Sequence, residues 1–141
     1  MAILLPNIKG EFQLSDTQMG FLTGIAFTLL YVVVGVPIAR LADQISRKKI
    51  LLIALSLWSA MTAACGLAQN FLQLVVARVL VGIGEAGSSP SSYSVISDLY
   101  PPHRRATAMA VYLAGAPGGI VIGFILCGWI AQQFGWRYAL M

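Results

Sequence analysis

Long apolar segments alternate with short polar loops along the 141-residue chain. Four segments hold about 20 or more mostly apolar residues, enough for a helix to cross a bilayer. They cover residues 17–39, 49–68, 71–99 and 105–132. Because the connections are short, consecutive helices are expected to be antiparallel neighbours. The pattern predicts an all-α transmembrane protein.

Each end of the chain carries a shorter apolar stretch. Residues 1–8 are too few to span a membrane and look like the last turns of a helix, and residues 136–141 restart an apolar pattern. We therefore expect both termini to lie within helices, which makes the chain a fragment of a longer membrane protein. A complete four-helix protein with frayed ends is the alternative.

The composition supports a membrane protein. Hydrophobic residues make up 58% of the chain and charged residues 10%, against about 45–50% and about 25% in soluble domains. A net charge of +4 raises the question of nucleic-acid binding. Apart from Arg78, the basic residues lie in short polar segments between or beside the apolar runs, so we expect no nucleic-acid partner.

The distribution of basic residues predicts the orientation. The loops 40–49 and 100–105 together carry Arg40, Arg47, Lys48, Lys49, Arg104 and Arg105. The opposite side has Lys9 and Arg137. Because basic residues concentrate in cytoplasmic loops, loops 40–49 and 100–105 are expected to face the cytoplasm.

Residues suited to catalysis or metal binding are few. Cys65 and Cys127 lie in apolar runs without a metal-binding spacing, and His103 is the single histidine of the sequence. The cysteines are interpreted as reduced packing residues. We expect no enzymatic activity, no cofactor and no metal.

Two charged residues lie inside the third span, in "ARVLVGIGEAG". Arg78 and Glu85 are seven residues apart, so they share one helix face about 10 Å apart along the axis. A charge at the bilayer centre costs about 2.5–3.5 kcal/mol or more, so it usually faces a partner or an aqueous cavity. Glu85 is predicted to line a solute or proton pathway. For Arg78, a role in that pathway and a structural ion pair both stay open.

Polar residues follow Glu85 in the same span. Ser89 and Tyr93 are candidates for the wall of a cavity. The alternative for the serines is that they satisfy backbone carbonyls freed by Pro90.

The fourth span contains a run of small residues and a proline. Gly115, Pro117, Gly118 and Gly119 make a weak helix on intrinsic propensity. They are expected either to pack closely against a neighbouring helix or to act as a hinge.

These patterns carry a resemblance to the major facilitator superfamily. The loop "ARLADQISRKKIL" resembles its signature between the second and third helices, with Asp43, Lys48 and Lys49 matching. The chain departs from that signature at Ala39, Gln44 and Ser46. The runs "LVVARVLVGIGEAG" and "GAPGG" are similar to the fourth- and fifth-helix signatures.

The resemblance implies a partial N-terminal half, with six helices, of a twelve-helix transporter. Residues 1–8 would end helix 1, the four spans would be helices 2 to 5, and residues 136–141 would start helix 6. The missing C-terminal half of the same transporter is then the expected partner. Secondary transport by alternating access is the implied activity, and a truncated, non-transporting protein with a structural or interaction role is the alternative.

Within the superfamily, residues 78–112 look most like the bacterial Spinster-like branch. That branch implies proton-linked transport of lysolipids or sphingoid lipids through Glu85, in a bacterial inner (plasma) membrane. Anion–cation symporters share a similar Gly-Glu-Ala run. The solute is therefore expected to be amphiphilic and lipid-like, or an organic anion. An acidic residue that the branch places in its first helix is absent here.

The resemblance also implies a cytoplasmic gate. Asp43 and Arg47 lie at the ends of neighbouring helices, and Asp98 ends the third span on the same side. Such a charge cluster would hold the cytoplasmic side closed and break when the cavity opens inward. Lys48 and Lys49 are expected to set topology and to contact membrane lipids.

Overall fold

A computed structural model describes the backbone of residues 2–141. The side chains of residues 2, 25–27, 29–30, 39 and 41–44 are outside that description. The described chain is all-helical, and its α-helices are α1 (Leu5–Phe12), α2 (Asp16–Gly20), α3 (Ala26–Gln44), α4 (Arg47–Leu67), α5 (Phe71–Leu99) and α6 (Pro102–Phe134).

Among the described residues, three helices are long and apolar enough to cross a membrane, namely α4, α5 and α6. They correspond to the segments 49–68, 71–99 and 105–132. The segment 17–39 falls on α2, a π-helical stretch at Phe21–Ile25 and α3. Residues 136–140 form turns, where the sequence predicted the start of a helix.

Side-chain caps mark where two helices begin. The Oγ of Ser15 accepts a hydrogen bond from the backbone N–H of Gln18, and the Gln18 side chain accepts one from the backbone of Ser15. This reciprocal pair is a capping box. The Oδ1 of Asn70 likewise accepts from the backbone N–H of Gln73 at the start of α5. Asn70 belongs to the short turn that joins Leu67, the last residue of α4, to Phe71, the first residue of α5. Because this connection is short, α4 and α5 are adjacent antiparallel helices.

Two glycines let α4 and α5 pack closely. A Cβ atom on Gly84 would lie 2.8 Å from the backbone nitrogen of Trp58 and 3.0 Å from the carbonyl oxygen of Ala54. A Cβ on Gly87 would lie 3.3 Å from the Cβ of Ala54 and 3.3 Å from a methyl of Ile38 on α3. The close approach of α4 to α5 thus depends on the absence of a side chain at Gly84.

Gly84→Ala is expected to destabilise the fold by about 1–3 kcal/mol, the usual cost of overpacking a tight contact. The clash is with backbone atoms, which cannot rotate away. Gly115→Ala is the matched control, because a Cβ there meets nothing within 4 Å. The thermal unfolding midpoint of the purified protein in detergent should be lower than that of the wild type for Gly84→Ala and should not be lower for Gly115→Ala. Equal midpoints would contradict the close contact.

A group of polar and aromatic side chains connects α1, the end of α4 and the segment after α6. We call it the Arg137 cluster, and it comprises Glu11, Phe12, Trp136, Arg137 and the carbonyls of Gly66 and Ala68. Arg137 lies 2.6 Å from Glu11 Oε1. It also donates to the carbonyl of Gly66 at 2.9 Å and to that of Ala68. The end of α1, the C-terminal end of α4 and the segment after α6 therefore meet at one guanidinium.

Aromatic contacts complete the Arg137 cluster. The guanidinium carbon lies 4.7 Å from the Trp136 ring centre and 5.8 Å from that of Phe12. Trp136 Nε1 donates to Glu11 Oε2 at 2.5 Å. These hydrogen bonds from Arg137 and Trp136 lower the pKa of the Glu11 carboxyl. The carboxylate is thus held in its charged form at neutral pH.

Candidate functional site

A cavity of about 850 Å³ lies between α5 and α6, with Ile3 and Trp58 also in its wall. Glu85, Ser89 and Tyr93 line it from α5. They are spaced four residues apart, so the helical repeat places all three on one face. Gly115 and Gly119 line it from α6. The structure thus places the predicted pathway residue Glu85 in one cavity wall with the two cavity candidates, Ser89 and Tyr93, and with two of the predicted α6 glycines.

Arg78 lies apart from this cavity. It is half-buried on α5, about two turns from Glu85. The described cavity walls include Glu85 but not Arg78. A role for Arg78 in the solute or proton pathway therefore stays a prediction.

Tyr112 is a wall residue that sequence reasoning did not single out. Its ring packs edge-to-face against Tyr93, with ring centres 5.6 Å apart and planes at 81°. The sequence could have indicated this position, because Tyr112 is three residues from Gly115 and seven from Gly119, and residues at such spacings share a helix face. The aromatic pair narrows the space between α5 and α6 toward the loop that joins them.

The small residues of α6 face open space. A Cβ on Gly115, Gly118 or Gly119 would meet nothing within 4 Å. In the described chain, therefore, no segment packs against these glycines, and α6 runs through Pro117 as one helix. Close packing is found instead at Gly128, where a Cβ would lie 3.0 Å from the Ile3 side chain. The packing and hinge roles of Gly115, Pro117, Gly118 and Gly119 stay predictions.

The described cavity walls offer few polar groups. Glu85 supplies a carboxylate, Ser89 a hydroxyl, and Tyr93 and Tyr112 phenol groups. Among the described side chains, no group of three His, Cys, Asp or Glu residues is close enough to hold a metal ion. The cavity can therefore hydrogen-bond a polar group near Glu85 while contacting an apolar portion elsewhere.

An ion pair joins α4 to α5 at the predicted cytoplasmic end. The Arg47 guanidinium contacts the Asp98 carboxylate across 51 residues of sequence. Their side chains are 36% and 62% exposed, and exposed pairs contribute only about 0–1 kcal/mol. Such a pair can break at little cost. The predicted third member, Asp43, has its side chain outside the described residues.

The sequence of this chain is similar to those of known membrane transporters. The family model described as Major Facilitator Superfamily matches residues 1–141 of this chain. The chain is 35% identical over 140 residues to an MFS-type efflux pump of Mycolicibacterium smegmatis, covering 99% of the chain and 33% of the pump. It is 30% identical over 141 residues to the hexuronate transporter of Bacillus subtilis, covering 100% of the chain and 33% of that transporter.

A solved structure has the same fold. It is the crystal structure of a bacterial homologue of the human lysosomal transporter Spinster, in an inward-facing and occupied conformation. The TM-score is 0.87 at 35% identity, over 98% of this chain and 35% of the other. The chain spans about one third of the relatives that it matches. It is an integral membrane protein and belongs to the major facilitator superfamily of transporters.

Proposed function

We propose that the chain forms the N-terminal part of a secondary transporter that works by alternating access. The observation that carries this proposal is the cavity between α5 and α6, with Glu85 in a largely apolar wall. A carboxylate at this depth can exchange a proton when the cavity opens to water on either side. We infer that the transporter is proton-linked and that a C-terminal half of the same protein completes the cavity.

The composition of the cavity wall supports one class of solute. Glycines, aliphatic residues and tyrosines surround the single described carboxylate. A strongly hydrated solute would leave polar groups unpaired in such a space. An organic anion placed beside Glu85 would also meet a like charge. An amphiphilic, lipid-like solute therefore fits better than a hexuronate-like anion.

The charged cytoplasmic ends supply the proposed gate. Arg47 and Asp98 link α4 to α5, and Asp43 is proposed to join them. A weak, exposed pair can be broken whenever the solute or a proton favours the other state. Loops 40–49 and 100–105 are proposed to face the cytoplasm across a bacterial inner membrane.

Filling the cavity tests the proposal. Gly119→Leu in the full transporter is expected to lower uptake of a fluorescent lysophospholipid by about tenfold, equivalent to ~1.4 kcal/mol, because the new side chain enters the cavity. Ala114→Leu is the matched control, since Ala114 is also exposed on α6 but is not part of the described wall. Uptake is measured in proteoliposomes. Equal uptake by the two variants would contradict the cavity as the solute site.

A further inference from the structure

One end of the cavity that contains Glu85 is formed by residues outside α5. Cys127 is the wall residue nearest the C-terminal end of α6, and Ile3 belongs to the same wall. A Cβ atom on Gly128 would lie 3.0 Å from the Cδ1 atom of Ile3, so Ile3 packs directly against α6. Loop 100–105 lies at the other end of α6, so this end of the cavity is on the predicted outer side of the membrane.

Both of these wall residues are linked to the Arg137 cluster. The Sγ atom of Cys127 donates a hydrogen bond to the carbonyl oxygen of Ala139 at 3.6 Å, two residues after Arg137. Ile3 lies in a short 3₁₀ helix that continues directly into α1. The end of α1 bears Glu11, whose carboxylate accepts a hydrogen bond from Arg137 at 2.6 Å. Arg137 is thus connected to the cavity wall by two routes.

The position of α1 depends on contacts with other segments. α1 has eight residues, and isolated helices shorter than about 12–15 residues are marginal in water. Leu4 and Ile8 bury one face of this part of the chain completely. Tilting about that face is opposed at Glu11, because Trp136 Nε1 also donates to its carboxylate at 2.5 Å. Glu11 is about 12 Å from Ile3 along the axis, at about 1.5 Å per residue, so a shift at Glu11 displaces Ile3.

We propose that Arg137 is a positioning residue for the cavity: through α1 it holds Ile3, and through the segment after α6 it holds Cys127, in the cavity wall. The guanidinium binds Glu11 and the carbonyls at the end of α4 together, so it fixes α1 relative to a long helix. Without it, α1 tilts away from α6 and the solute loses an apolar contact. This inference rests on the proposed function and adds to it a residue outside the cavity that controls how the solute fits.

Uptake kinetics test the proposal in the full transporter, reconstituted in proteoliposomes and assayed well below its unfolding midpoint. Arg137→Gln is expected to raise the KM for a fluorescent lysophospholipid about fivefold, with kcat changed less than about twofold. Partial unfolding would instead lower the amount of active protein and leave KM unchanged. Ile3→Ala should raise KM similarly, because it shortens the same wall. Lys9→Gln is the matched control, since Lys9 is also on α1 but pairs with Asp16 and lies outside the described wall.

A disulfide across the contact tests the proposal without transport. Ile3→Cys and Gly128→Cys place two thiols where the segment before α1 meets α6, close enough to form a disulfide. Other cysteines of the transporter are replaced, with Cys127→Ser keeping a hydrogen-bond donor. On mild oxidation the disulfide is expected to form about tenfold more slowly with Arg137→Gln than with Arg137 or with Lys9→Gln. Once formed, it should return the KM of Arg137→Gln to that of the cross-linked protein with Arg137.

Glu11→Gln is a second variant, for the case in which Arg137→Gln does not fold. It keeps the hydrogen bonds from Arg137 to the carbonyls of Gly66 and Ala68 and removes the charge on α1, so it should slow the disulfide in a folded protein. An unchanged disulfide rate in both variants overturns the proposal. So does a lowered unfolding midpoint of Arg137→Gln with KM unchanged, which would show a purely structural role.

The positioning role and the proposed function fail in different ways. If the disulfide forms slowly in Arg137→Gln while the wild type moves no lysophospholipid, Arg137 positions Ile3 but the proposed transport is wrong. If the wild type transports and Arg137→Gln leaves both the disulfide rate and KM unchanged, the proposed function stands and the positioning role is wrong.

Discussion

Glu85→Gln is expected to lower proton-driven uptake by the full transporter about a hundredfold, while membrane insertion is unchanged. A carboxylate changes between charged and neutral forms as the cavity alternates, and a charge in the bilayer costs about 2.5–3.5 kcal/mol. Glutamine is neutral in every state, so this difference no longer couples a proton to the movement of the solute. At ~1.4 kcal/mol per tenfold change, the loss corresponds to about two orders of magnitude.

The measurement is uptake of a fluorescent lysophospholipid into proteoliposomes, with and without an imposed pH gradient. Downhill exchange without a gradient should continue in Glu85→Gln, because the cavity keeps its shape. Asp16→Asn serves as the control, since Asp16 is an exposed carboxylate that pairs with Lys9 away from the cavity. Gradient-driven uptake by Glu85→Gln at the wild-type level would remove Glu85 from the coupling mechanism.

Arg137→Gln is expected to destabilise the fold by about 2–3 kcal/mol, from the loss of a charge-assisted hydrogen bond to Glu11 and of bonds to two carbonyls. The side chains of Arg137 and Glu11 are 30% and 43% exposed, so solvent screening keeps the ion-pair contribution small. The lost contact with the Trp136 ring adds about 0.5–1 kcal/mol. Lys9→Gln is the control, because its ion pair with Asp16 is more exposed. The unfolding midpoint in detergent should fall much further for Arg137→Gln.

The effect of Arg137→Gln should depend on pH. In the folded protein the hydrogen bonds from Arg137 and Trp136 lower the pKa of Glu11 below its ordinary value of 4.5. A lowered folded pKa stabilises the fold fully above the ordinary value, and this stabilisation is lost as the pH falls through the folded value. The midpoint difference between wild type and Arg137→Gln is therefore expected to be largest near neutral pH and to shrink below pH ~4.5. A difference that is constant from pH 7 to pH 3 would show that Glu11 contributes nothing through its charge.

The length and low charge of the apolar runs in the sequence predicted much of this architecture. The long apolar runs correspond to α4, α5 and α6, because a span needs length and low charge, both of which are local properties. Ser89 and Tyr93 could be named as cavity candidates from the sequence, and their four-residue spacing on α5 places them on one face with Glu85. The superfamily membership inferred from one loop signature and two helix signatures is confirmed.

Contacts between distant segments were beyond such reasoning. Whether a glycine contacts another helix depends on how both helices are rotated about their axes. Gly84 and Gly115 both lie in apolar, glycine-containing runs, but only Gly84 lies against a neighbouring helix in the described chain. Tyr112 gained significance only when α6 was placed opposite α5. Arg137 was interpreted as a topology signal because its acceptors on Glu11 and Gly66 are far away in sequence.

The Arg137 cluster has a consequence for biosynthesis. Glu11 and Arg137 are separated by 126 residues. At the usual elongation rate of about 5–20 residues per second, Glu11 waits roughly 6–25 s for its partner. During that interval the end of α1 and the C-terminal carbonyls of α4 lack the guanidinium that later joins them. Nascent chains that stall between α4 and residue 137 would therefore present a loosely held first helix to membrane quality-control proteases.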